Sequence, residues 1–227
     1  MSRPAQPAPP GPSGGPVPPG GAGQAAAPYK QLRPTDVKRL NRSWRRATGA
    51  RLALLLDSVT QPFNVGMIVR SAAAFGAGHI WLCGNSAALD HASAAKTALG
   101  TQRLLSWERE PDPVAAAKAA RAAGLRVVAI EQAAGAYPLH EAPLHGDVCL
   151  VLGNEDHGCS PALLAVADAV AYIPLVGRVG SLNVSAAAAI ALAEARRREW
   201  SAGPQGTAGQ AAVDQGAVDQ GAVDQGG

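Results

Sequence analysis

Five short apolar runs, each closed by turn residues, set the strongest limit on what this chain can become. RLALLLD (51–57), GHIWLCG (78–84), LRVVAIE (125–131), DVCLVLG (147–153) and AVAYIP (169–174) read as strands bounded by Gly, Pro or a carboxylate. RLLSWE (103–108) reads as a further short strand. Between them, VGMIVRSAAAFGA (65–77) places Val65, Ile68, Val69, Ala72 and Phe75 on one helical side. PVAAAKAARAAG (113–124) is a second helix, with Gly124 as its C-cap. Strands alternating with helices predict an α/β fold, a mainly parallel sheet with helices on both faces. Ligands of such sheets bind beyond the carboxyl ends of the strands, so the turns there are the places to search.

Composition divides the 227 residues into four segments. Residues 1–29 are Pro, Gly and Ala with almost no large apolar side chains, too few to offset the entropy of ordering, and they read as a disordered leader. Residues 30–50 are basic and read as a helix. From Lys30 to Arg51 there are eight cations and one acid, Asp36, with Trp44 among them. Such a segment suits a polyanion such as RNA, or is a solvated helical face with no partner. Residues 51–200 hold the strand–helix alternation. Residues 201–227 carry AVDQG three times, a repeat too short for a solenoid unit and therefore a low-complexity tail.

Cys83, Cys149 and Cys159 form no CxxC pair and no metal-ligand spacing, which predicts buried thiols in a reducing cytoplasm. No charged segment leads into an apolar stretch near the start, and no apolar run reaches membrane-spanning length. A soluble, cytoplasmic chain without a membrane partner is expected.

Three strand-to-helix turns concentrate polar groups. In NVGMIVR, Arg70 interrupts an apolar helical stretch six residues after Asn64; alone, it reads as a cation reaching solvent. In LVLGNEDHG (150–158), a buried strand runs into Gly153, Asn154 and Glu155, and a glycine there allows a ligand to approach the backbone. In IPLVGRVGSLNVS (173–185), Ser181, Asn183 and Ser185 precede an Ala-rich run that ends in Arg196, Arg197 and Arg198. Local chemistry makes these residues a helix cap, with the arginines suited to the negative end of the helix dipole.

Signatures of several other α/β enzymes are missing. No GxGxxG follows the first strand, and there is no GxxxxGK[ST] loop or GxSxG elbow. The five histidines share no zinc spacing.

Taken together and in order, NVGMIVRSAAAFGA, LVLGNEDHGCSP and IPLVGRVGSLNVSAAAAIAL resemble the three motifs of the SpoU/TrmH branch of the SPOUT RNA methyltransferases. The resemblance runs from Leu52 to Arg198. It implies a C-terminal trefoil knot, S-adenosyl-L-methionine as methyl donor, and a homodimer whose active site is completed across the interface. The implied reaction is methyl transfer to a ribose 2′-OH of RNA, with tRNA placed ahead of rRNA; a catalytically silent knotted RNA-binding homologue is the alternative. Carried over by position, Asn64, Arg70, Glu155, Ser181 and Asn183 are the expected catalytic set. Ile130, Gly153, Ile173 and Leu182 are the expected cofactor-binding set, and no metal is expected. The eroded polar positions that a silent homologue would show are not seen in this sequence.

Overall fold

A computed structural model describes residues 30–201. The leader and the AVDQG repeats lie outside the described residues. By its contacts the chain separates into a unit ending at Arg39 and a second beginning at Leu40. Helix α1 (Pro34–Arg46) opens the described chain and has no buried residue. In the first unit, Asp36 pairs with Arg33 at 3.0 Å.

The second unit alternates as expected. Strands β1 (Leu52–Asp57), β2 (His79–Cys83) and β3 (Ser106–Glu110) come first, with α2 (Pro62–Ala74) and α3 (Ala92–Ala98) between them. A 3-10 turn over Thr101–Leu104 leads into β3. Then follow α4 (Pro113–Ala122), β4 (Arg126–Ile130), β5 (Tyr137–Pro138), β6 (Val148–Leu152), α5 (Pro161–Val166), β7 (Ala169–Tyr172) and α6 (Val184–Ser201). All seven strands form one sheet in the order β3-β2-β1-β6-β4-β7-β5, and every pairing is parallel. Gly124, at a φ of 83°, turns the chain out of α4 where the sequence placed a C-cap.

Because strand side chains alternate, β1 feeds two cores. Leu52, Leu54 and Leu56 join the cluster under α2 and α6, while Ala53 and Leu55 join the one under α4 and α5. The sheet is thus covered on both faces, which is why its central strands are apolar throughout. Cys83, Cys149 and Cys159 are all free and buried. Burial pushes the Cys83 thiol up to about 12, with Asp57 adding to the shift, and burial also raises Cys149 and Cys159.

The three terminal arginines do not act alike. Arg196 is 3% exposed. Its guanidinium donates to the carbonyls of Phe75, Ala50 and Gly76 at 2.8, 2.8 and 3.1 Å, and pairs with Glu199 at 2.7 Å. It locks α6 onto the end of α2 and the turn before β1. Arg197 and Arg198 instead pair with Glu194 on their own helix. Arg198 lies in the last turn of α6, as the dipole reading expects, whereas Arg196 is a buried anchor.

Candidate active site

The three polar turns converge at the carboxyl ends of β1, β4, β6 and β7. Beyond β1, Ser58 adopts a φ of 60°, a conformation that costs a non-glycine residue about 1–2 kcal/mol. Neighbours hold it there: its N–H donates to the Cys83 carbonyl at 3.2 Å, and its own carbonyl accepts from the Asn154 amide at 2.8 Å. The chain then enters α2 through Gln61 and Pro62 with no side-chain cap of its own.

Glu155 supplies that cap from the loop after β6. Its carboxylate accepts the Thr60 and Gln61 N–H groups, each at 3.1 Å, the Thr60 hydroxyl at 3.3 Å and the Asn64 amide at 2.9 Å. A carboxylate at a helix N-terminus is stabilised by the unpaired N–H groups and the dipole. Burial of the carboxyl works to raise its pKa, but the Asn64 amide and the backbone N–H groups outweigh burial. The pKa lies below the ordinary 4.5.

Asn64, 5% exposed, passes the connection on. Its side-chain oxygen accepts from the Asn183 amide at 3.0 Å. The Asn183 oxygen in turn accepts the Ser185 N–H at 2.9 Å and the Ser185 hydroxyl at 2.6 Å, which caps the start of α6. Glu155, Asn64, Asn183 and Ser185 thus form one continuous series joining three turns. The capping role and the site role of the Ser-Leu-Asn-Val-Ser stretch coincide in Asn183.

Beside this series lies a cleft of about 620 Å³, within the range of small-molecule sites. Its wall includes Ile130, Gly153, Ile173 and Leu182, the four residues expected to hold a cofactor, together with Glu155, Ser181 and Asn183. A Cβ on Gly153 would run into the backbone of Gly158 and Cys159, so only glycine fits where β6 meets its loop. Ser181 is exposed on the cleft wall. Arg70 stands apart. It is exposed on α2 beyond Asn64, is absent from the cleft wall, and has no hydrogen-bond or ion-pair partner among the described residues. Glu155, fully engaged with Thr60, Gln61 and Asn64, does not orient it.

Two further cleft residues escaped the sequence reading. Glu131 accepts the Cys159 N–H at 2.8 Å and the Gln132 N–H at 2.9 Å, bracing the loop after β6 from the end of β4. The Gln132 amide donates to the Gly180 carbonyl at 3.0 Å, tying the same strand end to the loop before α6. The available signal was their position: polar residues directly after a buried strand of a parallel sheet.

Fold and site together define an α/β domain with a nucleotide-sized cleft over the carboxyl ends of its central strands. Comparison with known proteins sharpens this. The SpoU rRNA Methylase family matches residues 51–193, and the chain belongs to that family. An uncharacterized tRNA/rRNA methyltransferase of Mycobacterium sp. (strain KMS) is 35% identical over 182 residues, 80% of this chain and 56% of the relative. The chain thus spans a little over half the length of that mycobacterial relative. The 23S rRNA (guanosine-2′-O-)-methyltransferase RlmB of Acinetobacter baylyi is 31% identical over 175 residues, 77% of this chain and 69% of the relative. Among solved structures, the SpoU methyltransferase AviRb of Streptomyces viridochromogenes, in complex with AdoMet, aligns with a TM-score of 0.62 at 31% identity. That alignment covers 68% of this chain and 62% of AviRb.

Proposed function

We propose that the chain is an S-adenosyl-L-methionine-dependent RNA methyltransferase that methylates a ribose 2′-OH. The observation that carries this reading is the cleft itself: in a chain of the SpoU family, it unites all four expected cofactor residues with Glu155, Ser181 and Asn183. The cleft suits the donor on its own chemistry. Ile130, Leu152 and Ile173 offer an apolar wall for a flat heteroaromatic ring, and Gly153 lets the loop after β6 pack closely beside it. Glu131, Gln132 and Ser181 give a polar rim for hydroxyl and amino-acid groups. When bound, S-adenosylmethionine supplies an electrophilic methyl group on a sulfonium.

The protein's share of the chemistry is positioning and charge. A ribose hydroxyl would have to be held within reach of that methyl group, forming the C–O bond as the C–S bond breaks and releasing its proton to solvent. Asn64 and Asn183 fix the wall on which the ribose would sit. A guanidinium has five donors and no acceptor, so the role of Arg70 is to clamp an RNA phosphate and the negative charge growing on the 2′-oxygen. Its position off its own cleft supports a homodimer in which Arg70 of one copy serves the cleft of the other. The return of α6 from β7, at one side of the sheet, to pack on α2 and β6 supports a threaded, knotted C-terminus.

The sequence reading placed tRNA ahead of rRNA, whereas the RlmB relative weighs toward 23S rRNA. Nuclease digestion of fractionated tRNA and rRNA, with and without the gene, read by mass spectrometry, separates the two. The expected result is loss of one 2′-O-methyl nucleoside from one fraction. An unchanged nucleoside profile in both, together with no heat of binding for S-adenosylmethionine, would leave a catalytically silent RNA-binding homologue in its place.

A further inference from the structure

Helix α1 lies outside residues 51–193, so the chemistry shared with the family assigns it nothing. From Leu40 onward the helix belongs to the second unit, and at about 100° per residue this part has two sides. Leu40 and Trp44 fall within one sector, and Arg42, Arg45 and Arg46 fall opposite. The apolar sector is only partly covered, with Leu40 46% and Trp44 48% exposed. The Trp44 ring packs against Trp200 of α6, with centroids 4.8 Å apart. Thr48 fastens the same corner, donating to the Trp44 carbonyl at 2.8 Å and accepting the Trp200 indole N–H at 2.9 Å. Next to them, Glu199 accepts the N–H groups of Gly49 and Ala50 at 2.6 and 2.8 Å.

This corner leaves three guanidinium groups exposed. None of the three is in an ion pair among the described residues, and they are the unpaired arginines that share one helical face. We propose that Arg42, Arg45 and Arg46 form a phosphate-binding surface that holds the RNA backbone at a distance from the cleft. The proposal rests on the reading of the chain as an RNA methyltransferase. Guanidinium forks match phosphate oxygens, and three of them give affinity without sequence choice. RNA is favoured over a membrane surface because the chain belongs to a family of RNA methylases.

The spacing adds a size requirement. Helix α6 begins at the Asn183 cap beside the cleft and carries Trp200 near its other end. Its 18 residues extend roughly 27 Å, so an RNA that reaches both ends must bridge about that distance. A single nucleotide or a short fragment cannot.

The test compares the full chain with its Arg42→Gln/Arg45→Gln/Arg46→Gln variant. Binding of bulk tRNA, a 23S rRNA transcript and a trinucleotide is measured by fluorescence anisotropy between about 50 and 200 mM salt. For the long RNAs, the variant should bind about tenfold more weakly at low salt, and its slope against log salt should be shallower by about 2. Trinucleotide binding and the calorimetric titration with S-adenosylmethionine should be unchanged. Equal affinity and slope for both long RNAs would overturn the proposal, as would an equal loss on the trinucleotide. A variant that loses only its binding to phosphatidylserine vesicles would assign the surface to membranes instead. Should the wild type bind long RNA through these arginines yet transfer no methyl group to it, the surface stands and the enzymatic reading alone fails.

Discussion

The Glu155 carboxylate accepts from two backbone N–H groups, a hydroxyl and an amide, so its lone pairs are committed to the fold. It is a brace for α2 and Asn64 rather than a base for a ribose proton. Because its pKa is lowered in the folded chain, its contribution to stability is complete above the ordinary 4.5 and is lost as pH falls through the folded value. Glu155→Gln should therefore melt lower than wild type at neutral pH, with the gap closing as pH falls below the ordinary 4.5 in thermal melts. Arg70 makes the opposite case, an exposed cation with no partner among the described residues. Arg70→Ala should leave S-adenosylmethionine binding intact by calorimetry while reducing kcat by about 10²–10³. Wild-type turnover would remove it from the proposed site. At this scale the sequence was legible where a motif named a residue and mute about partners. Asn64 and Glu155 lie 91 positions apart, and nothing local announces a hydrogen bond between them.

Among the elements, the strands were legible because their cores are unbroken apolar runs. Others were hidden for physical reasons. Helix α3 is ASAAKTA, too short and too Ala-rich to show a period, and β5 is two residues long. Strand β3 sits at the sheet edge, and no residue of Ser106–Glu110 is buried, so its expected position was displaced toward the apolar Leu104 and Leu105. The loop after β6 depends on close backbone contact at Gly153. Gly153→Ala should destabilise the chain by about 1–3 kcal/mol and weaken S-adenosylmethionine binding, checked by denaturant unfolding and calorimetry. Arg196 was read with its two neighbours as suited to the negative end of the helix dipole, but burial against three carbonyls gives it another task. Arg196→Ala leaves those carbonyls and Glu199 without their donor and should cost roughly 3–5 kcal/mol in the same unfolding measurement.

For the whole molecule, no helix among the described residues is long and apolar enough to cross a membrane. The cleft opens between strand ends rather than inside a sealed core, so an occupant that binds only the folded chain must raise its stability by mass action. S-adenosylmethionine at 100 times its Kd should add about 2.7 kcal/mol, read as a rise in Tm. An unchanged Tm at saturating donor would count against the cofactor assignment. The class of fold was readable from alternation, but the strand order was not, since parallel strands of similar composition carry no address. That order bears on how the molecule comes into being. Strand β6 lies between β1 and β4, and the Arg51 N–H that opens β1 is held by Asp147, 96 residues away. During synthesis β1, β2 and β3 emerge long before their central partner, leaving the apolar edge of β1 uncovered until residue 152 is available. Such non-local, all-parallel closure is slow and exposes a sticky intermediate. The nascent chain is therefore most vulnerable to misassembly in the interval between making its first three strands and making its sixth.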